Sequence, residues 1–155
     1  MSTHHSNAPA ATRLRFAHDQ DFVELELLSP DTAEMPGQRE VYLSIRVSSA
    51  GFSGHNDLWI QGPALQAFCQ ALANLERNRR GRACLDSLMP NELQLQVRAI
   101  DSVGHVGIEG STGFDVPRRG LASWHSVQFA FEFDPAQLVD ALSVEWVRRH
   151  ADGAN

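Results

Sequence analysis

The sequence predicts an α+β domain: a largely antiparallel sheet with two helices packed on one of its faces. Three observations predict it. Period-two alternation of apolar and polar residues recurs in both halves of the chain, as half-buried strands require. Two segments, each opened by a proline, switch to helical spacing. The resulting order is strands, helix, strands, helix, with the layout of residues 12–80 repeated over 82–150.

Each element has its own justification. Leu14 and Phe16 alternate with Arg13 and Arg15, and Val23, Leu25 and Leu27 alternate with Glu24 and Glu26 across a polar turn, which reads as a hairpin. Pro30, Asp31, Pro36 and Gly37 make 29–38 a loop. Val41, Leu43, Ile45 and Val47 form one face of a long strand whose other face holds Tyr42, Ser44, Arg46 and Ser48. Residues 49–56, with Gly51 and Gly54, are expected to turn before a short strand at 58–60. Gly62 and Pro63 open a helix with the stripe Leu65, Phe68, Cys69, Leu72 and Leu75; Arg77, Arg79 and Arg80 suit its negative end, and Gly81 stops it.

The second half follows the same plan. Strands are expected at 83–88, at 93–99 with Gln94, Gln96 and Arg98 outward, at 106–108 and, most strongly, at 127–133. Residues 110–120 are expected to be a long loop. Asp134 caps a last helix with Pro135 at its first position and Leu138, Val139, Leu142 and Trp146 as its stripe. The predicted core comprises Leu25, Leu43, Ile45, Leu65, Phe68, Leu72, Leu95, Val97, Phe129, Phe131, Leu138 and Leu142.

The chain has 155 residues, 43% of them hydrophobic and 21% charged, which fits one domain over 12–150. Disordered tails are expected at 1–11, which includes His4 and His5, and at 151–155. No run of apolar residues exceeds three, which excludes a membrane-spanning helix. The start has neither a basic nor an apolar signal region, so a cytoplasmic protein is expected. A net charge of −6 disfavours nucleic acid as a partner. All 13 basic residues are arginine, which excludes Schiff-base chemistry and a P-loop lysine. Cys69 and Cys84 lack a paired spacing and read as reduced thiols.

Candidate sites were weighed by residue type. His55 with Asp57, His105 with Glu109, and His125 in phase with Val127 are the groups able to serve a metal or acid–base chemistry. None reaches a metal-ligand spacing, so no metal and no cofactor is expected. The glycines between Gly104 and Gly110 precede no helix and therefore form no phosphate cradle. No nucleophile elbow is present, and the expected protein is not an enzyme. Arg77–Arg82 and Arg148–Arg149 complement helix dipoles, with a shared anion patch as the alternative. Function is then expected on a surface. The first choice is the loop with Phe114, Asp115, Arg118 and Arg119; the second is an outer sheet face with Tyr42, Ser44, Arg46, Gln94, Gln96 and Arg98.

The order Phe52-Ser53-Gly54, Asp57-Leu58-Trp59-Ile60, Leu65 and Phe68, Arg82-Ala83-Cys84-Leu85, Gly104-His105-Val106 and Gln128 to Pro135 resembles a small bacterial domain family. Some of its members are named immunity proteins that protect a cell from wall-associated polymorphic toxins. The resemblance covers about two thirds of the chain and rests on turns, core positions and caps. It implies a cytoplasmic, non-enzymatic binding protein with a toxin as partner; the net charge of −6 is compatible with an acidic domain docking on a basic nuclease toxin. It assigns no catalytic residue. The alternatives are a small-ligand module with a pocket between sheet and helices, and a hydrolase using His55, His105 or His125. The sequence leaves the oligomeric state open.

Overall fold

The computed structural model describes residues 12–29 and 39–153. The expected 1–11 tail and most of the 29–38 loop lie outside the described residues. The architecture is α+β, but it holds two four-stranded sheets where one was predicted. The first is the meander β1 (Arg13–His18), β2 (Asp21–Leu27), β3 (Val41–Ser49) and β4 (Phe52–Ile60). Helix α1 (Gly62–Asn78) leads to the second meander, β5 (Arg82–Asp86), β6 (Leu93–Ala99), β7 (Val106–Asp115) and β8 (Trp124–Phe133). Both sheets are antiparallel throughout. The split follows from the pattern itself. Each meander has one apolar face, and two such faces bury each other where one continuous sheet would leave most of that surface to helices alone.

The two faces share a core. Leu14, Phe16, Leu25, Leu43, Ile45, Leu58 and Ile60 come from the first sheet, and Leu85, Leu95, Val97, Ile108, Phe129 and Phe133 from the second. Phe16 and Phe133 meet across the sheets with ring centroids 4.6 Å apart. Of the twelve predicted core residues, ten are fully buried; Phe131 and Leu142 pack at its margin. The helices close the rest. Helix α1 packs against β5 with Leu65, Phe68, Cys69, Leu72 and Leu75 inward.

The predicted last helix is two helices, α2 (Ala136–Leu142) and α3 (Glu145–Asp152). The break has a local cause. The Ser143 hydroxyl donates to the Asp140 carbonyl at 2.6 Å, competing with the helical ladder, and β-branched Val144 is extended at φ −68°, ψ 128°. Pro135 stands one position earlier than predicted, at the cap, while the Asp134 carboxylate accepts from the Ala136 N–H at 2.9 Å. Because α3 continues to Asp152, the expected tail at 151–155 begins as helix. Helix α2 lies along β1, and α3 lies against α1.

Two turns also differ from expectation. Residues 52–56 belong to β4, because Ala50 (φ 53°) and Gly51 (φ 88°) complete a two-residue hairpin turn in which both residues have positive φ. At the end of α1 the left-handed residue is Arg79 (φ 55°), whose N–H bonds the Leu75 carbonyl; Gly81 follows it.

Candidate functional site

The predicted loop 110–120 is largely strand. Period-two alternation fails over Gly110-Ser111-Thr112-Gly113, yet β7 runs on to Asp115 because small residues let β8 close over it. A Cβ on Gly113 would lie 2.6 Å from the His125 carbonyl oxygen and 2.9 Å from Trp124 Cζ2, so glycine is the residue that fits. Phe114 pairs with His125 and Asp115 with Trp124. The Val116 N–H donates to the Ser123 carbonyl at 2.8 Å and extends the hairpin one step. The true loop is therefore 117–122, and it carries Arg118 and Arg119, both exposed.

The result is a rigid hairpin with an apolar tip in solvent. Leu121 is 70% exposed, Trp124 44% and Phe114 40%. Two arginines beside two exposed aromatics are the side chains enriched in protein-binding hot spots. Trp124 and Leu121 were absent from the predicted site. Their signal was adjacency: both flank the loop in sequence, and Trp124 precedes the strongest strand by three residues.

Next to the tip, β4 meets the hairpin along a cleft of about 230 Å³. His55 and Phe114 line it, with His125, Ser53 and Ser126. Its floor is a buried polar cluster. Asn56 Nδ2 donates to the Gly113 carbonyl at 2.9 Å and to Thr112 Oγ1 at 3.2 Å, and the Thr112 hydroxyl donates to the Glu92 carbonyl at 2.6 Å. These bonds fasten the first sheet to the second. Asn56 lies in the stretch 49–56 that the glycine pattern predicts to turn, so the sequence gives no sign of its role.

The histidines sort differently from expectation. His55 Nε2 lies 3.1 Å from Ser44 Oγ and 3.0 Å from Asp57 Oδ1. A serine–histidine–acid relay needs the acid and the hydroxyl on different ring nitrogens, and here both use one. His125 Nδ1 donates to the Ser123 carbonyl at 2.8 Å and steadies the hairpin neck. His105 does not pair with Glu109. It stands at the far end of β7, where its ring bonds the Asp101 carboxylate, which also accepts from the Val103 and His105 N–H groups. The hydrogen bond from His105 lowers the Asp101 pKa, and the same bond, with the charges of Asp101 and Glu132, raises that of His105. Glu109 instead takes Arg98 at 2.7 Å and Gln96 at 3.0 Å.

Among the described residues no three His, Cys, Asp or Glu side chains gather as a metal site would require. Cys69 is buried and Cys84 exposed, and neither is in a disulfide. Among the described residues no helix is long and apolar enough to cross a membrane. The alternative surface divides: Tyr42, Ser44 and Arg46 lie on β3 of the first sheet, and Gln94, Gln96 and Arg98 on β6 of the second.

No curated protein and no solved structure matches the chain. A family profile does match, over residues 13–144, from the first strand to the break between the last two helices. The chain therefore belongs to the WapI-like immunity protein family.

Proposed function

We propose that this protein neutralises a toxin by binding it, without catalytic turnover, in the cytoplasm. The observation that carries the reading is the family match over residues 13–144. Binding without turnover is supported by His55, His105 and His125, each of which is engaged in a local structural bond and none in a nucleophile relay. Two cysteines outside any disulfide are in keeping with a reducing compartment.

The proposed contact surface is the β7–β8 tip: Phe114, Asp115, Arg118 and Arg119, with Trp124 and Leu121 added. Rigid aromatics offer contact area at low entropic cost, and the arginines offer charge-assisted bonds. The adjacent cleft of about 230 Å³ falls below the roughly 300–1,000 Å³ typical of small-molecule sites and suits a single partner side chain.

The test is co-expression with any toxin domain found encoded beside the gene. Cells carrying the protein should survive, and the purified pair should co-elute. The variant with Phe114, Arg118 and Arg119 changed to Ala should fold and fail to protect. Killing despite the wild-type protein would end the toxin reading; full protection by the variant would remove the tip.

A further inference from the structure

Gln137 stands against the free edge of β1 like one rung of an absent strand. Its Oε1 accepts from the Ala17 N–H and its Nε2 donates to the Ala17 carbonyl, both at 2.8 Å. Ala17 therefore turns its peptide groups away from β2. Along a strand that orientation recurs at every second residue, so the N–H and C=O of Arg15 and Arg13 also face outward. Among the described residues nothing bonds those four groups. Toward the other end Trp146 Nε1 donates to the Thr12 carbonyl at 2.9 Å, on the β2 side of the strand. From Gln137 onward a groove of about 470 Å³ runs beside Arg13, Arg15 and Ala17, with Ala141, Val144 and Asp140 on its helical side.

An open strand edge invites pairing, and proteins usually block it along its length. Here the Ala17 end is blocked and the stretch at Arg15 and Arg13 is not. We propose that this edge accepts an extended segment of another protein as a fifth strand of the first sheet, with carboxylates at alternate positions facing Arg13 and Arg15. The inference goes beyond the toxin reading and does not depend on it.

Charge selects the occupant. Arg13 Nε lies 3.5 Å from Glu26 and Arg15 Nη1 2.7 Å from Glu24, both carboxylates on the β2 side. Each guanidinium has five N–H donors, so most remain for a second carboxylate on the open side. Acidic residues on an added strand would extend each arginine–glutamate row to carboxylate, arginine, carboxylate. A second copy of this chain is disfavoured, because pairing β1 with β1 sets arginine against arginine. Residues between the carboxylates would meet the layer of Leu14 and Phe16 beside Ala141 and Val144, all buried. Small β-branched side chains suit that position.

The probe is a panel of peptides of about six residues, with glutamate at every second position and Val, Ile or Thr between. The full chain should bind members of this panel and not their lysine counterparts. In the wild-type protein the Arg15 amide should exchange with solvent at least tenfold more slowly when peptide is bound. Arg15→Pro removes an outward N–H that the β1–β2 ladder does not use, a change that edge strands tolerate. It should bind at least tenfold more weakly than Arg15→Ala, which loses only the side chain. The proposal is overturned if no glutamate peptide binds, if Arg15 exchange is unchanged, or if the two variants bind alike. Should Arg15→Pro not fold, the exchange measurement on the wild-type protein decides.

Discussion

Asn56 and Gly113 join the two sheets: the Asn56 side-chain amide, itself buried, donates to the Gly113 carbonyl at 2.9 Å. Its second contact, Thr112, is equally shut off from water. Removing a buried donor leaves its acceptors unpaired, and each unpaired group costs about 1–3 kcal/mol. Asn56→Ala should therefore lower unfolding stability by roughly that amount. Asn56→Asp should do more harm at pH 7, because it turns a carboxylate toward carbonyl oxygens. That contact raises the folded-state pKa of the new Asp above its unfolded value of about 3.9. The extra loss should appear as pH rises through the folded pKa and vanish below about 3.9. Denaturant melts of both variants at pH 4 and pH 7 check this; equal stability of the two at pH 7 would refute the donor geometry.

Gly110 gives a steric prediction. A Cβ there would lie 2.0 Å from the Gln94 carbonyl oxygen and 2.9 Å from both Leu95 Cα and Phe129 Cζ. Two of these neighbours are backbone and cannot swing away, so β6 and β7 must part. Overpacking of this kind typically costs about 1–3 kcal/mol, and Gly110→Ala belongs at the upper end. For a chain of this size the melting temperature should fall by roughly 6–12 °C. A melting point within about 2 °C of wild type would mean that the strands are not so close.

The fold was legible where one rule acted alone. Leu43, Ile45 and Val47 alternate without interruption, and β3 lies where they place it. The proline-led stripe from Leu65 to Leu75 became α1 for the same reason. Legibility failed where tertiary contact overrode local pattern. Gly54 and Gly113 read as turn residues, yet both lie within strands because another strand passes close: a Cβ on Gly54 would meet Val127 Cγ1 at 2.8 Å. The split into two sheets was hidden because alternation marks an apolar face without saying what covers it. Of the candidate site, Phe114, Asp115, Arg118 and Arg119 do lie together on one hairpin. Asn56 could not be found, since its role depends on Thr112 and Gly113, more than fifty residues away.

The Asp101–His105 pair predicts a pH dependence local to the β6–β7 turn. The bond between them raises the folded pKa of His105 and lowers that of Asp101. The His105 contribution is complete below the unfolded value of about 6.5 and is lost as pH rises through the higher folded value. The Asp101 contribution is complete above about 3.9 and is lost as pH falls through the lower folded value. The turn should therefore be tightest between about pH 4 and pH 6.5. Amide exchange at Val103 and His105 should be slowest in that window after correction for intrinsic rates, and His105→Ala should flatten the alkaline side. A His105 imidazole that titrates below the free value would contradict the pairing.

The β7–β8 tip makes a kinetic prediction, because its two kinds of side chain act on different steps of association. Arg118 and Arg119 are solvent-exposed charges, and such charges at the rim of an interface steer encounter with a local acidic patch on the partner, whatever the partner's net charge. Changing both to Gln should slow association several-fold at low salt and should flatten its dependence on ionic strength. Dissociation should change little. Phe114 and Trp124 offer apolar area that is 40% and 44% exposed in the free protein and would be covered in a complex. Truncating an aromatic anchor at the centre of an interface commonly costs about 2 kcal/mol or more, and most of that loss lies in the off-rate. Trp124→Ala should thus speed dissociation by roughly thirtyfold while leaving the salt dependence intact. Surface plasmon resonance of the toxin domain against each variant at two ionic strengths separates the outcomes. An arginine variant that altered only dissociation, or a tryptophan variant that altered only association, would place the contact somewhere other than this tip.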